Sequence, residues 1–135
     1  MRLFGIDYGS ARIGVALGDT ETRLASAWQV IEARPLDRAL QTLQDLIRTE
    51  RVEGLVIGIP RRLHDQQQES SQTQEVRQFI KSLEMFGLPL FEENETWSSK
   101  LAARQQQERG QKGKRDDLAA AAILQSYLDR YGLSS

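Results

Sequence analysis

Cysteine is absent from the 135-residue chain, and histidine occurs once, as His64. The first absence rules out a disulfide framework and a zinc–thiolate site; the second rules out a multi-histidine metal centre. A metal site would therefore have to use the hard oxygens of Asp and Glu, which suit magnesium or manganese. No apolar run is long enough to span a membrane, and the N-terminus lacks a charged-then-apolar signal. The expected location is cytoplasmic, with no membrane partner. Net charge is also scarce, at −1, which argues against a polycation that coats nucleic acid wholesale. The length suits one domain, 1–135, with a sizeable core but no room for two lobes.

The charges that are present are unevenly placed. Lys100, Arg104, Arg109, Lys112, Lys114 and Arg115 stand against Glu108 alone, with Glu92, Glu93 and Glu95 before them and Asp116 and Asp117 after. Such a strip fits a phosphate-tracking groove beside a metal site, and equally a solvated helix face with a loop.

Leu3 to Tyr8 and Arg12 to Leu17 are short β-rich runs around a tight turn, the signature of an opening hairpin. Ala25 to Ala33 is a third, weaker strand. Pro35 then suits the first turn of a helix in which Leu36, Leu40, Leu43 and Ile47 recur at helical spacing, ending near Arg51. Glu53 to Pro60 is a continuous apolar run, the mark of a strand buried on both faces. A polar, glutamine-rich loop from Arg61 to Ser71 follows. Val76, Phe79, Ile80, Leu83 and Phe86 then predict a second helix stopped by Gly87. Leu88 to Phe91 opens a fifth strand. Ser98 or Ser99 caps a third helix, broken at 110–114, and Asp116 or Asp117 caps a last one with Leu118, Ala122, Leu128 and Tyr131 among its apolar positions. The order βββαβαβαα predicts an α/β fold with a mixed five-stranded sheet, antiparallel at one side, parallel through its middle and flanked by helices.

Asp7 is a carboxylate in an otherwise apolar strand, between Ile6 and Tyr8. Burying such a charge is costly without compensation, and a divalent cation is a strong compensator; capping a turn is the plainer role for an Asp there. Glu95 falls where the fifth strand runs out and Asp116 where the last helix begins. Ligands of α/β sheets gather at the carboxyl ends of parallel strands. Three acids converging there would hold two magnesium ions about 4 Å apart, a clamp for in-line attack on a phosphodiester. Spacing alone is weak support, since the chain has 19 acids to choose from.

Gly5-Ile6-Asp7-Tyr8-Gly9, Arg12-Ile13-Gly14-Val15-Ala16, Val56-Ile57-Gly58-Ile59-Pro60 and the run from Asp116 to Leu128 resemble the YqgF/RuvX family, in the family's order and across nearly the whole chain. The resemblance implies a ribonuclease H-like fold with a metal-binding carboxylate triad. In it Asp7 is the first-strand acid, Glu95 the acid of the family's Asp-Glu-Arg motif and Asp116 the helix acid. It also implies a nuclease maturing the 5′ end of pre-16S ribosomal RNA, or alternatively a resolvase of Holliday junctions. The chain departs from the family pattern at Asn94-Glu95-Thr96: the neighbouring Asp is Asn94, and the Arg is Thr96. That exchange removes a rigid guanidinium fork suited to phosphate. The loop after Pro60 departs too, with a glutamine run in place of a glycine-containing turn.

The leading expectation is a Mg2+- or Mn2+-dependent endonuclease acting on structured pre-rRNA, with a ribosomal subunit precursor as partner. Asp7 bridges both ions, Glu95 holds one and Asp116 completes the other, and no organic cofactor is called for. Arg12, Arg61, Lys112, Lys114 and Arg115 are the candidate nucleic-acid contacts, each with a plain solubility reading beside it. Ser98 and Ser99 read as helix caps and His64 as a loop residue, and core packing is favoured over base stacking for Trp28 and Trp97. The alternatives are a Holliday junction resolvase acting on branched DNA, which a dimer would favour, and a non-catalytic RNA-binding assembly factor, which Asn94 and Thr96 favour. The chain is expected to be a monomer or homodimer. Asp7-Tyr8-Gly9 also resembles the first phosphate loop of actin-like and sugar-kinase ATPases, but those close two lobes around a nucleotide, and this chain has length for one.

Overall fold

The computed structural model describes residues 1–9, 11–59, 71–94 and 116–131. Strands β1 (Arg2–Tyr8), β2 (Arg12–Asp19) and β3 (Leu24–Glu32) form an antiparallel meander. Helix α1 (Leu36–Glu50) leads to β4 (Gly54–Ile59); α2 (Ser71–Leu83) and a 3-10 turn (Glu84–Phe86) lead to β5 (Leu90–Asn94); α3 (Asp116–Arg130) follows. The sheet order is β3-β2-β1-β4-β5, with β1–β4 and β4–β5 parallel. Short turns can only join antiparallel neighbours, whereas helical crossovers return the chain in parallel, so the element order dictates this mixed sheet. The loop from Arg61 as far as residue 70 and the helix expected from Ser98 or Ser99 lie outside the described residues, as do His64 and Trp97.

All six residues of β4 are buried. The strand lies between β1 and β5, with Leu55 and Ile57 in the core on one face and Val56 in the core on the other. The larger core joins Phe4, Ile6, Ile13, Val15 and Ile57 to Ala39 and Leu43 of α1 and Phe79 and Leu83 of α2. Trp28 belongs to this side, its ring 5.4 Å from that of Phe4, which is the packing role. Residue 28 is skipped in the β2–β3 register, where Val15 pairs with Gln29 and Ala16 with Ala27; this is a bulge. The smaller core joins Leu3, Ala16 and Val56 to α3.

Two boundaries and the seat of the last helix differ from expectation. Helix α2 begins at Ser71, so the polar turn before Val76 is helical. Strand β5 begins at Leu90. Pro89 precedes it, and its carbonyl accepts a 3.0 Å bond from the Leu55 N–H. Helix α3 seats through Ala120, Ile123, Leu124 and Leu128; Leu118 and Ala122 are only partly buried and Tyr131 is exposed. Of the apolar positions expected for that helix, Leu128 alone lies at the centre of the seat. Gly87 ends its element as expected, with φ 71°.

Candidate metal and nucleic-acid site at the end of β1

Alternation along β1 sorts its side chains. Phe4 and Ile6 enter the larger core, and Leu3 packs with α3. Asp7 therefore lies on the α3 face near the carboxyl end of the strand. It is half-buried, so its desolvation is milder than its apolar flanks suggested. Its partner on β2 is Gly14. On β4 its level is Gly58, one step beyond the Ile6–Ile57 pair. Neither neighbour in the sheet carries a side chain.

Helix α3 approaches closely at Gly5. A Cβ there would lie 2.6 Å from Leu124 Cβ and 2.7 Å from the Ala120 carbonyl oxygen, so only glycine fits. At Gly18, the partner of Leu3, the nearest helix side chains are Leu124 and Leu128. The contacts advance along α3 as β1 is followed back toward its start, so helix and strand run in opposite directions. From Gly5 to Asp7 the strand advances about 6.6 Å, and from Ala120 back to Asp116 the helix spans about 6 Å. The start of α3 thus lies at the Asp7 end of β1.

Arg12 begins β2 at the same end of the sheet, and the Gly9 N–H donates to its carbonyl at 2.9 Å, closing the tight turn. Ile13 and Val15 are in the larger core, so Arg12 and Gly14 share the α3 face with Asp7. Asp116 is the first residue of α3. Glu95, Arg61, Lys112, Lys114 and Arg115 lie outside the described residues. Among the described residues, no three Asp, Glu or His side chains gather around one point.

The sequence reading overlooked Glu93. It is 2% exposed, a buried carboxylate on the α3 face paired with Gly58. Its Oε1 accepts a bond from the Ser126 hydroxyl at 3.1 Å and its Oε2 one from the Arg130 guanidinium. Both oxygens are engaged by α3, so Glu93 is unsuited to ligating an ion as it stands. The signal was available: Phe91 is apolar and faces α3 (its ring 5.3 Å from Tyr127), so position 93 shares that face.

On the opposite face Tyr8 packs on Phe79, ring centroids 4.5 Å apart. Burial first, and then the nearby Glu75 carboxylate, push the Tyr8 phenol above its ordinary value, with Arg34 opposing. Arg34 donates to Glu75 Oε1 at 3.0 Å. The residue beside Asp7 is thereby tied to α2.

Comparison with known proteins gives the fold its class. The structure aligns with Thermus thermophilus RuvC bound to a Holliday junction at TM-score 0.63 and 14% identity, covering 100% of this chain and 98% of that one. It aligns with the fowlpox virus resolvase bound to junction DNA at TM-score 0.60 and 13% identity, covering 98% and 99%. The fold is ribonuclease H-like, of the resolvase type. The chain belongs to the RuvX family, described as a Holliday junction resolvase and matched over residues 1–130. Relatives carrying the name "Putative pre-16S rRNA nuclease" include proteins of Zymomonas mobilis (34% identical, 98% of this chain and 83% of theirs) and Thermus thermophilus (33%, 96% and 98%).

Proposed function

We propose that this protein is a divalent-metal-dependent endonuclease that processes the 5′ end of pre-16S rRNA in the cytoplasm. The observation that carries the reading is Asp7, on the face of the sheet that α3 covers and at the end of β1 where α3 begins, in a chain whose full-length relatives bear the nuclease name. The fit to a hard cation rests on the carboxylate oxygen donors, and Gly14 and Gly58 put no side chain beside Asp7 in the sheet. Asp7, Glu95 and Asp116 would hold Mg2+ or Mn2+ through their carboxylate oxygens. The bound ions would activate a water for attack on phosphorus and stabilise the departing oxygen. Position 116, four residues before Ala120, shares the helix face that rests on Gly5. Arg12, on the Asp7 face, holds a substrate phosphate; Arg61, Lys112, Lys114 and Arg115 extend that contact along the RNA. The products carry a 5′-phosphate and a 3′-hydroxyl.

Cleavage of branched DNA is the second reading, favoured by the family's description and by the junction complexes of its structural neighbours. One experiment separates them: purified protein with pre-16S leader RNA or with a four-way DNA junction, with Mn2+ or with EDTA. Cutting of the RNA that needs Mn2+ and is lost in Asp7→Asn supports the proposal. Cutting of the junction alone establishes the second reading, and binding without cutting in either arm makes the protein an assembly factor.

A further inference from the structure

We propose that Glu93 is a positioning residue: its bonds to Ser126 and Arg130 fix α3 against β5, and so set the spacing between the helix that begins at Asp116 and the strand that leads to Glu95. The functional consequence rests on the nuclease reading above. Glu93 is the one buried charged residue among those described. A carboxylate so placed costs free energy unless both oxygens are satisfied, and an apolar residue there would avoid that cost. What the carboxylate adds is direction. The apolar contacts of α3 with the sheet, made by alanine, leucine, isoleucine and Tyr127, are non-directional and by themselves leave slide and rotation weakly specified.

Hydrogen bonds remove that freedom, and α3 has them on both flanks. Toward β3, Gln125 accepts from the Ala25 N–H at 2.9 Å and donates to the Arg23 carbonyl at 2.8 Å. Toward β5, the next residue, Ser126, and Arg130 one turn later both hold Glu93. Consecutive residues point about 100° apart around a helix, so this pair of anchors fixes rotation about its axis. Slipping by one residue would move the start of α3 by about 1.5 Å and turn it by about 100° about its axis. A misplacement of about 1 Å at a reacting centre is enough to cost two orders of magnitude in rate.

The test uses Glu93→Met/Arg130→Met, which exchanges the buried carboxylate for an apolar side chain and the exposed guanidinium for a neutral one, and is expected to remain folded. Three readouts are taken: thermal unfolding, the Mn2+ concentration giving half-maximal cleavage of pre-16S leader RNA, and amide exchange in the first turn of α3. The expected result is an unfolding midpoint close to that of the parent, faster exchange in residues 116–119, and a half-maximal Mn2+ concentration raised about tenfold. Arg130→Lys alone, which keeps a cation opposite Glu93, should retain most of the parent's Mn2+ response. Unchanged exchange, or an unchanged Mn2+ midpoint in a variant that cleaves, overturns the positioning role. A parent protein that neither cleaves nor binds Mn2+ overturns the nuclease reading instead, and the exchange measurement still decides whether Glu93 fixes α3.

Discussion

The two faces of the sheet are built on different principles. Toward α1 and α2 the strands present Phe4, Ile6, Ile13, Val15, Ile57 and Ile59, met by Leu43, Phe79 and Leu83. These large side chains gain stability from the area they remove from water, each worth about 1.5–3 kcal/mol when fully buried. Toward α3 the sheet presents Gly5, Ala16 and Gly18 beside Leu3 and Val56, and at Gly5 the helix backbone comes so close that a Cβ would lie 2.7 Å from the Ala120 carbonyl oxygen. That face also carries Asp7, Arg12 and Glu93, and from the helix Gln125 and Ser126. One face supplies bulk stability, and the other trades buried area for close approach and directional bonds. A site requiring sub-ångström placement is better served by the second.

The contrast can be broken from either side. Phe79→Ala removes a buried ring that also supports Tyr8, and should cost about 3–5 kcal/mol in denaturant unfolding, the largest change expected. Any lost cleavage should recover wherever the variant is folded; cleavage that stays low in the folded variant would mean that the α2 face shapes the site directly. Asp7→Asn should do the reverse, lowering cleavage about a hundredfold or more, equivalent to about 2.7 kcal/mol of barrier, while unfolding moves by less than about 1 kcal/mol. Gly5→Ala should affect both. Its new methyl meets Leu124 and the Ala120 carbonyl at under 3 Å, so stability should fall by about 1–3 kcal/mol as α3 is pushed off β1. Cleavage should fall further than that loss accounts for, measured at a temperature where the variant is fully folded.

The smallest effect expected is with pH. Burial, followed by Tyr131 and then Glu93, holds the Tyr127 phenol above its ordinary value of 10.0, with Arg130 opposing. The folded protein retains this proton more tightly than the unfolded chain. Its contribution is therefore complete below the unfolded pKa and is lost as pH rises through the folded one. Tyr127→Phe should lose less stability than the parent between about pH 9 and about pH 11, followed by urea unfolding. Equal losses would mean that Tyr127 does not sense the α3–β5 seam.

Much of the fold was legible in local pattern. The apolar run of β4, the stripe of α1 and the positive-φ stop at Gly87 each express one periodicity or one steric preference. The seat of α3 was not legible, because Ala119 to Ala122 present nearly the same surface all round the helix. Which side met the sheet was settled by where Gly5 and Gly18 left space. The candidate site divided in the same way. Asp7 stood out as a lone acid in an apolar strand, whereas Glu93 was hidden within an acidic cluster that reads as solvated.

From its sequence alone, this protein's five strands, the helices α1, α2 and α3, their order and the residue types available to hold a metal were already legible, since each depends on neighbours a few positions away. Tertiary structure decided the remainder: which way α3 turns, that Glu93 is buried beside Ser126 and Arg130, and that the start of α3 lies at the Asp7 end of β1. Those outcomes depend on contacts between residues tens of positions apart, whose geometry exists only once the sheet has closed beneath the helix.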